Sequence, residues 1–74
     1  MKERIISIME EALPLVDLDS DFLFAELSSL EITNIMMLLS DEYGIELTSV
    51  DVTPKNFRSV DSIVAMVAGK LNSK

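Results

Sequence analysis

The chain has 74 residues, of which 49% are apolar and only 5% aromatic, and it carries a net charge of −7. A chain of this length cannot build two hydrophobic cores, so we predict a single domain over residues 1–74. The absence of cysteine and histidine excludes disulfides, thiolate zinc sites, cysteine nucleophiles and imidazole base catalysis.

The first predicted element is an amphipathic helix from Lys2 to about Leu13, because apolar residues recur there at helical spacing. Pro14 should end this helix. A long loop follows from about Leu15 to Leu27 and is unusually apolar. We therefore expect the loop to pack across the helices.

The second long helix is predicted to begin with a capping box made by Ser28 and Glu31. It should run to Tyr43, because Gly44 follows where a left-handed C-terminal residue is favoured. Its apolar stripe comprises Ile32, Ile35, Met36, Leu39 and Tyr43. At roughly 100° per residue, the opposite face carries Leu30, Thr33, Asn34, Met37 and Asp41. Two large apolar side chains therefore point away from the stripe.

The rest of the chain predicts an extended connector and two further helices. Residues 45–52 alternate weakly between apolar and polar, but no second strand is available to pair with them. Thr53 and Pro54 should begin a short helix through Phe57, and Ser59 should cap the last helix. The stripe of the last helix is Val60, Ile63, Val64, Val67 and Leu71. The predicted fold class is all-α: a small antiparallel four-helix bundle with three main helices, one short third helix and a long first loop.

The acidic residues give little indication of a metal-binding or catalytic site. Asp17, Asp19 and Asp21 have the spacing of the first ligands of a calcium loop, but Phe22 replaces the required glycine and Ser28 the closing glutamate. We therefore predict no metal site. A serine hydrolase is disfavoured because the chain has no histidine to act as base.

Two serines at the start of the second long helix have different predicted roles. Ser28 is expected to cap the helix. Ser29 lies beside the exposed Leu30 in an acidic surround, where a modifying protein could reach its hydroxyl.

The charges are distributed unevenly. No Lys or Arg occurs between Ile5 and Pro54. The resulting negative electrostatic potential repels nucleic acid and anionic lipid and attracts basic proteins. Acidity can also serve only to keep a small domain soluble. No apolar run has the length of a membrane span, and Glu3 interrupts any signal peptide at the start. We predict a cytoplasmic protein without nucleic-acid or membrane partners.

Three segments of the chain together resemble the acyl carrier protein family. They are Ser28-Ser29-Leu30, residues 41–47 (DEYGIEL) and residues 54–63 (PKNFRSVDSI). In that family the modified serine belongs to an Asp-Ser-Leu triplet that opens the second helix, fourteen residues before the aromatic of a Glu-(Phe/Tyr)-Gly-Ile ending. Ser29 lies fourteen residues before Tyr43. The resemblance covers nearly the whole chain.

The resemblance implies that the chain is a carrier and not an enzyme. Ser29 would receive 4'-phosphopantetheine from coenzyme A, making a phosphoprotein, through a separate transferase that alone uses magnesium. The arm would carry an acyl or aminoacyl thioester to ligases or synthases of fatty-acid, polyketide or peptide-like biosynthesis. The implied protein is a monomer, and its core could shelter the cargo. The docking face for basic partners would comprise Leu30, Glu31, Thr33, Asn34, Met37 and Asp41.

The sequence departs from the family pattern at three places. Ser28 stands where the family has the Asp that helps to hold magnesium in the transferase complex. The glycine that the family usually has about three residues before the serine is replaced by Glu26 or is lost by a one-residue shortening. Asn34 and Ser40 replace acidic residues of the second helix. These departures favour a specialised stand-alone carrier over the housekeeping fatty-acid protein. They leave open an unmodified, degenerate carrier that acts as a helical adaptor.

Overall fold

The computed structural model of the protein describes residues 1–72, and this part of the chain is helical without any strand. Its elements are the helices α1 (Lys2–Ala12), α2 (Leu23–Glu26), α3 (Ser29–Tyr43) and α4 (Val60–Asn72), with one 3₁₀ turn at Ser49–Asp51. Helix α1 packs against both α3 and α4. The predicted class, a small helical bundle, is confirmed. The predicted domain extends to Lys74, which with Ser73 lies outside the described residues.

A single core joins all four helices and the segment between α3 and α4 (residues 44–59), which we call the connector. The side chains that are fully buried are Ile5, Met9, Leu23, Ile35, Leu39, Phe57, Ile63 and Val67. Burying a side chain of this size stabilises the fold by about 1.5–3 kcal/mol. The predicted stripes of the long helices supply most of this core, so the helical spacing identified the packed faces correctly.

The capping box predicted for α3 is present and sets where the helix begins. The Glu31 N–H donates to Ser28 Oγ at 3.2 Å, and the Ser28 N–H donates to Glu31 Oε1 at 2.9 Å. At the other end, Gly44 is left-handed with φ 61°, a conformation that glycine adopts without steric cost. The Ile45 N–H then donates to the Ser40 carbonyl at 3.2 Å. Both ends of α3 are therefore fixed by local hydrogen bonds.

The short elements differ from the prediction. Residues 54–57, predicted as a short third helix, form a turn in which the Phe57 N–H donates to the Thr53 carbonyl at 3.0 Å. Thr53 Oγ1 also accepts from the Asn56 N–H at 3.0 Å. Thr53 caps this turn, but residues 58 and 59 form bends, so the turn does not continue as a helix. The one-turn helix lies earlier, at α2.

The first loop packs only in part. Leu23 and Leu27 are buried as predicted, but Leu15 is 98% exposed and Phe22 is 74% exposed. The expectation that the whole apolar loop covers the helices is therefore wrong at these two positions. The α1 helix also stops one residue early, because the Leu13 N–H closes it as a cap on the Met9 carbonyl. The chain then turns at Pro14 with Leu15 pointing outward.

Asp51 fastens the connector between α3 and α4. Its carboxylate accepts from the Thr48 N–H and pairs with Lys70 of α4, each at 3.0 Å. The Asn56 carboxamide donates to the Asp51 carbonyl at 3.0 Å. The backbone hydrogen bond from Thr48, assisted by the charge of Lys70, lowers the pKa of Asp51. One half-buried carboxylate therefore links the 3₁₀ turn to the last helix.

We expect Asp51→Asn to lower the free energy of unfolding by about 1 kcal/mol at pH 7, because asparagine lacks the negative charge that pairs with Lys70. Because folding lowers the Asp51 pKa, the charge stabilises the fold above the unfolded pKa of about 3.9 and loses this effect as the pH falls through the folded value. Urea unfolding at pH 7 and pH 3 should therefore show a difference from the unaltered protein that is smaller at the lower pH. Asp61→Asn, at the exposed Lys2 pair, is the control and should change little at either pH. A difference that is as large at pH 3 as at pH 7 would show that the charge is not responsible.

Candidate functional site

The two serines at the start of α3 differ in how their hydroxyls are engaged. Ser28 is the N-cap, and its hydroxyl is engaged by the Glu31 N–H. Ser29 is the first residue of the helix and is exposed. Its carbonyl accepts a hydrogen bond from Thr33 Oγ1 at 2.9 Å. The capping role predicted for Ser28 is confirmed, and a reagent approaching the helix can address Ser29 without breaking the cap.

The end of α3 at Ser29 is suited to a negatively charged group. The first N–H groups of a helix have no partner within it, and the helix dipole places partial positive charge there. The Glu31 N–H is already bonded to Ser28 Oγ, and the Ile32 N–H to the Ser28 carbonyl. The N–H groups of Ser29 and Leu30 therefore remain for an anion attached at Ser29. A phosphodiester on this hydroxyl fits the donors that the helix provides.

The predicted docking residues lie together on the outer side of α3. Leu30 is 81% exposed and Met37 is 62% exposed. Thr33, Asn34 and Asp41 are exposed beside them. Glu31 belongs to the same side but is half-buried, and one of its oxygens serves the capping box. The outer face is therefore apolar at two points and polar between them.

Two shallow grooves run along this face. The first has a volume of about 370 Å³ and is lined by Ala12, Leu13, Leu30, Glu31, Thr33, Asn34 and Met37. The second has a volume of about 300 Å³ and is lined by Thr33, Met36, Met37, Ser40, Asp41 and Leu47. Thr33 and Met37 border both grooves, so the two form one track along α3. We refer to them as the first and second groove.

Sequence reasoning missed the contribution of α1 to this site. Ala12 and Leu13 form the wall of the first groove opposite α3. In the sequence they belong to the apolar stripe of the first helix, and no local signal marks them as part of a surface groove. Their role depends on how α1 crosses α3, which the periodicity of either helix alone does not specify.

Among residues 1–72, no ion pair involves the N-terminal half of α3. Arg4 of α1 binds Glu42 near the C-terminal end of α3, with Nη2 2.8 Å from Oε1. This hydrogen bond lowers the pKa of Glu42. Asp41, next to it, is exposed on the second groove. The outer face of α3 thus keeps an acidic group that a basic partner can meet.

Asp17 and Ser20 form hydrogen bonds within the first loop. Asp17 Oδ1 accepts from the Asp19 N–H at 3.0 Å, and Ser20 Oγ accepts from the Phe22 N–H at 2.9 Å. Among residues 1–72, no group of three or more carboxylates is arranged to hold a metal ion. No helix in the same range has the length and hydropathy needed to cross a membrane.

Comparison with known proteins identifies one family. Residues 3–67 match the family model described as a phosphopantetheine attachment site. No curated protein and no solved structure gives a significant match. The matched range includes both Ser28 and Ser29, so the choice between the two hydroxyls depends on the geometry at the start of α3.

Proposed function

Because the chain belongs to the phosphopantetheine attachment family, we propose that Ser29 is the attachment residue and that the protein carries an acyl or aminoacyl group. Domains of this family hold 4'-phosphopantetheine covalently on a serine and are carriers, not catalysts. They work with a phosphopantetheinyl transferase and with biosynthetic enzymes. The chain contains no cysteine, so the thiol that holds the cargo comes with the attached group.

The single observation that carries the assignment is the capping box. Ser28 Oγ accepts the Glu31 N–H and thereby stabilises the start of α3. Modification of Ser28 would place a bulky group on the oxygen that accepts this hydrogen bond, whereas modification of Ser29 leaves the cap untouched. The N–H groups of Ser29 and Leu30 have no partner within the helix and can donate to the added phosphate. The geometry therefore favours Ser29 as the acceptor.

In the proposed transfer, every bond formed and broken is accounted for by the serine and coenzyme A. Ser29 Oγ attacks the phosphorus of coenzyme A that bears the pantetheine, and an oxygen–phosphorus bond forms. The pyrophosphate bond breaks and 3',5'-adenosine bisphosphate leaves, while the serine proton passes to a base of the transferase. Magnesium belongs to the transferase complex. This chain contributes the positioned hydroxyl and the helix N-terminus that stabilises the resulting phosphodiester.

Intact mass measurement after incubation with coenzyme A, magnesium and a broad-specificity transferase tests the proposal. We expect the mass of one phosphopantetheine to be added, and peptide fragmentation to locate it at Ser29. Location at Ser28 would contradict the assignment of the residue. A protein that several transferases leave unmodified would contradict the carrier function itself.

We propose that partners dock on the outer face of α3, through Leu30, Glu31, Thr33, Asn34, Met37 and Asp41. Exposed apolar side chains flanked by acids suit enzymes with apolar and basic patches. The neutral residues at 28, 34 and 40, where the family usually has acids, support a dedicated pathway of polyketide-like or peptide-like type over housekeeping fatty-acid synthesis. A monomeric carrier in the cytoplasm is consistent with this use.

Met37→Glu should raise the KM of the transferase for the unmodified protein severalfold, because a charge replaces an apolar contact at the centre of the proposed docking face. The fold should be retained, since Met37 is 62% exposed. Circular dichroism checks the helicity. Leu15→Glu is the matched control, because Leu15 is also apolar and exposed but lies outside the α3 face. Equal effects of the two variants would show that net charge, not this face, governs docking.

Ser28 supports a second candidate function. The residue before Ser29 is not the acid that the family uses in the transferase complex, which favours a degenerate carrier acting as an unmodified helical adaptor. In that case the α3 face would still bind a partner. The two functions differ in one measurement, because an adaptor isolated from its own cell would have the mass of the unmodified chain.

A further inference from the structure

A third shallow groove lies where the first loop and α2 meet the connector. It has a volume of about 380 Å³ and is lined by Asp21, Phe22, Phe24, Ala25, Pro54 and Arg58. No residue of α3 contributes to this lining, and Ser29 is not part of it. This third groove is therefore separate from the proposed attachment residue and from the proposed docking face.

The backbone around Phe22 is held in place while its side chain stays outside the core. The Phe22 N–H donates to Ser20 Oγ at 2.9 Å, and the Phe22 carbonyl accepts from the Ala25 N–H at 3.1 Å. The next residue, Leu23, is buried, and its N–H donates to the Arg58 carbonyl at 3.0 Å. This bond brings the backbone of Arg58 next to that of Phe22 across thirty-six residues of chain. Because both backbones are already fixed, a partner that binds here needs to order little of the chain.

The basic side chains at the third groove are available to a partner. Among residues 1–72, the ion pairs use the basic residues that lie elsewhere, namely Lys2, Arg4 and Lys70. Lys55 and Arg58 are exposed and form no ion pair in that range. Lys55 directly follows Pro54 of the groove lining. A chain with a net charge of −7 thus carries a small positive patch beside an exposed aromatic ring.

We propose that the third groove binds a short segment of a partner protein in which bulky apolar side chains are flanked by acidic residues. The apolar side chains pack against Phe22, Phe24 and Pro54, and the acidic residues pair with Lys55 and Arg58. Aromatic residues and arginine are enriched at protein interfaces, and arginine is common among the residues that dominate binding. A short acidic segment meets only the local positive patch, whereas nucleic acid or an anionic membrane would meet the negative charge of the whole chain.

This interaction goes beyond the carrier function, because it does not use Ser29 and is the same with or without the attached group. The α3 face suits basic partners, whereas the third groove suits an acidic one. A segment bound in the third groove leaves α3 uncovered, since no α3 residue lines that groove. An enzyme can therefore be held at one surface while Ser29 remains accessible at the other.

Titration of the ¹⁵N-labelled full chain with an acidic peptide tests the proposal. The probe is a capped hexapeptide with leucine and phenylalanine at its centre and two glutamates on each side, added up to about 1 mM. We expect saturable shifts of the backbone amides of Phe22, Ala25 and Arg58, with those of Asn34 and Met37 unchanged. The same peptide with lysines in place of the glutamates should leave the groove amides unchanged. Absence of saturable shifts at the groove with the acidic peptide would overturn the proposal.

Two variants and one matched control identify the contacts. Phe22→Ala should weaken peptide binding about tenfold, as expected for an aromatic residue that dominates an interface. Arg58→Glu should abolish binding, while its backbone bond to Leu23 is retained. Arg4→Glu makes the same change of charge at the exposed pair with Glu42 and should retain binding. Circular dichroism checks the fold of each variant.

Three outcomes of these measurements would contradict the proposal. Equal losses in Arg58→Glu and Arg4→Glu would show that net charge governs binding and not the groove. Unchanged affinity of Phe22→Ala would show that the aromatic ring is not a contact. Binding to phosphatidylserine vesicles that is lost in Phe22→Ala, together with no peptide binding, would assign this surface to a membrane.

Discussion

Ser29→Ala should abolish the addition of phosphopantetheine completely, because the substitution removes the only atom proposed to form the bond to phosphorus. Alanine is a good helix former, and Ser28 and Glu31 still cap α3, so the fold should not change. The intact mass after incubation with coenzyme A and transferase should equal that of the untreated variant. Circular dichroism should match that of the unaltered protein.

Ser28→Ala is the matched control at the neighbouring hydroxyl. It should still accept one phosphopantetheine, but loss of the cap should reduce the free energy of unfolding by about 1 kcal/mol. For a domain of this size, that corresponds to a fall of roughly 4–8 °C in Tm. The two variants therefore separate the roles: one loses modification with stability preserved, and the other loses stability with modification preserved. The reverse result would exchange the assignments of the two serines.

The ends of α3 were predictable from the sequence because each depends on neighbouring residues. Ser28 and Glu31 form their hydrogen bonds within one turn, and Gly44 takes the left-handed conformation expected of a helix C-terminus. The same holds for the stripe residues Ile35 and Leu39, whose burial follows from helical periodicity. Local chemistry between near neighbours is therefore sufficient to place Ser29 in the first turn of α3.

Features that depend on contacts between distant segments were not predictable. The Leu23 N–H donates to the Arg58 carbonyl at 3.0 Å, which anchors α2 beside the connector, thirty-five residues further along the chain. This contact helps to explain why Leu23 is buried while Phe22 is left outside. The first groove is a similar case, because Ala12 reaches it only through the packing of α1 on α3. Hydropathy alone does not distinguish a loop residue that packs from one that stays exposed.

The connector carries the second large expected effect, at Phe57. This side chain has no exposed surface, although it lies in a turn and not in a helix. Phe57→Ala should reduce the free energy of unfolding by about 3–5 kcal/mol, as for other buried aromatic residues. A domain of 74 residues is stabilised by roughly 4–11 kcal/mol in total. The variant should therefore lose much of its stability, which urea unfolding followed by circular dichroism will measure.

Phe22→Ala is the matched control, because it removes the same side chain from a position that is 74% exposed. It should change the free energy of unfolding by no more than about 0.5 kcal/mol. The same variants also test modification. The fraction of Phe57→Ala protein that accepts phosphopantetheine should fall only as far as its helicity falls. Ser29→Ala, in contrast, should accept none while its helicity is unchanged. A Phe57→Ala protein with an unchanged free energy of unfolding would show that the connector does not depend on this side chain. In that case the connector would be held by its other contacts, namely those of Asp51 with Thr48, Asn56 and Lys70 and the hydrogen bond between Leu23 and Arg58.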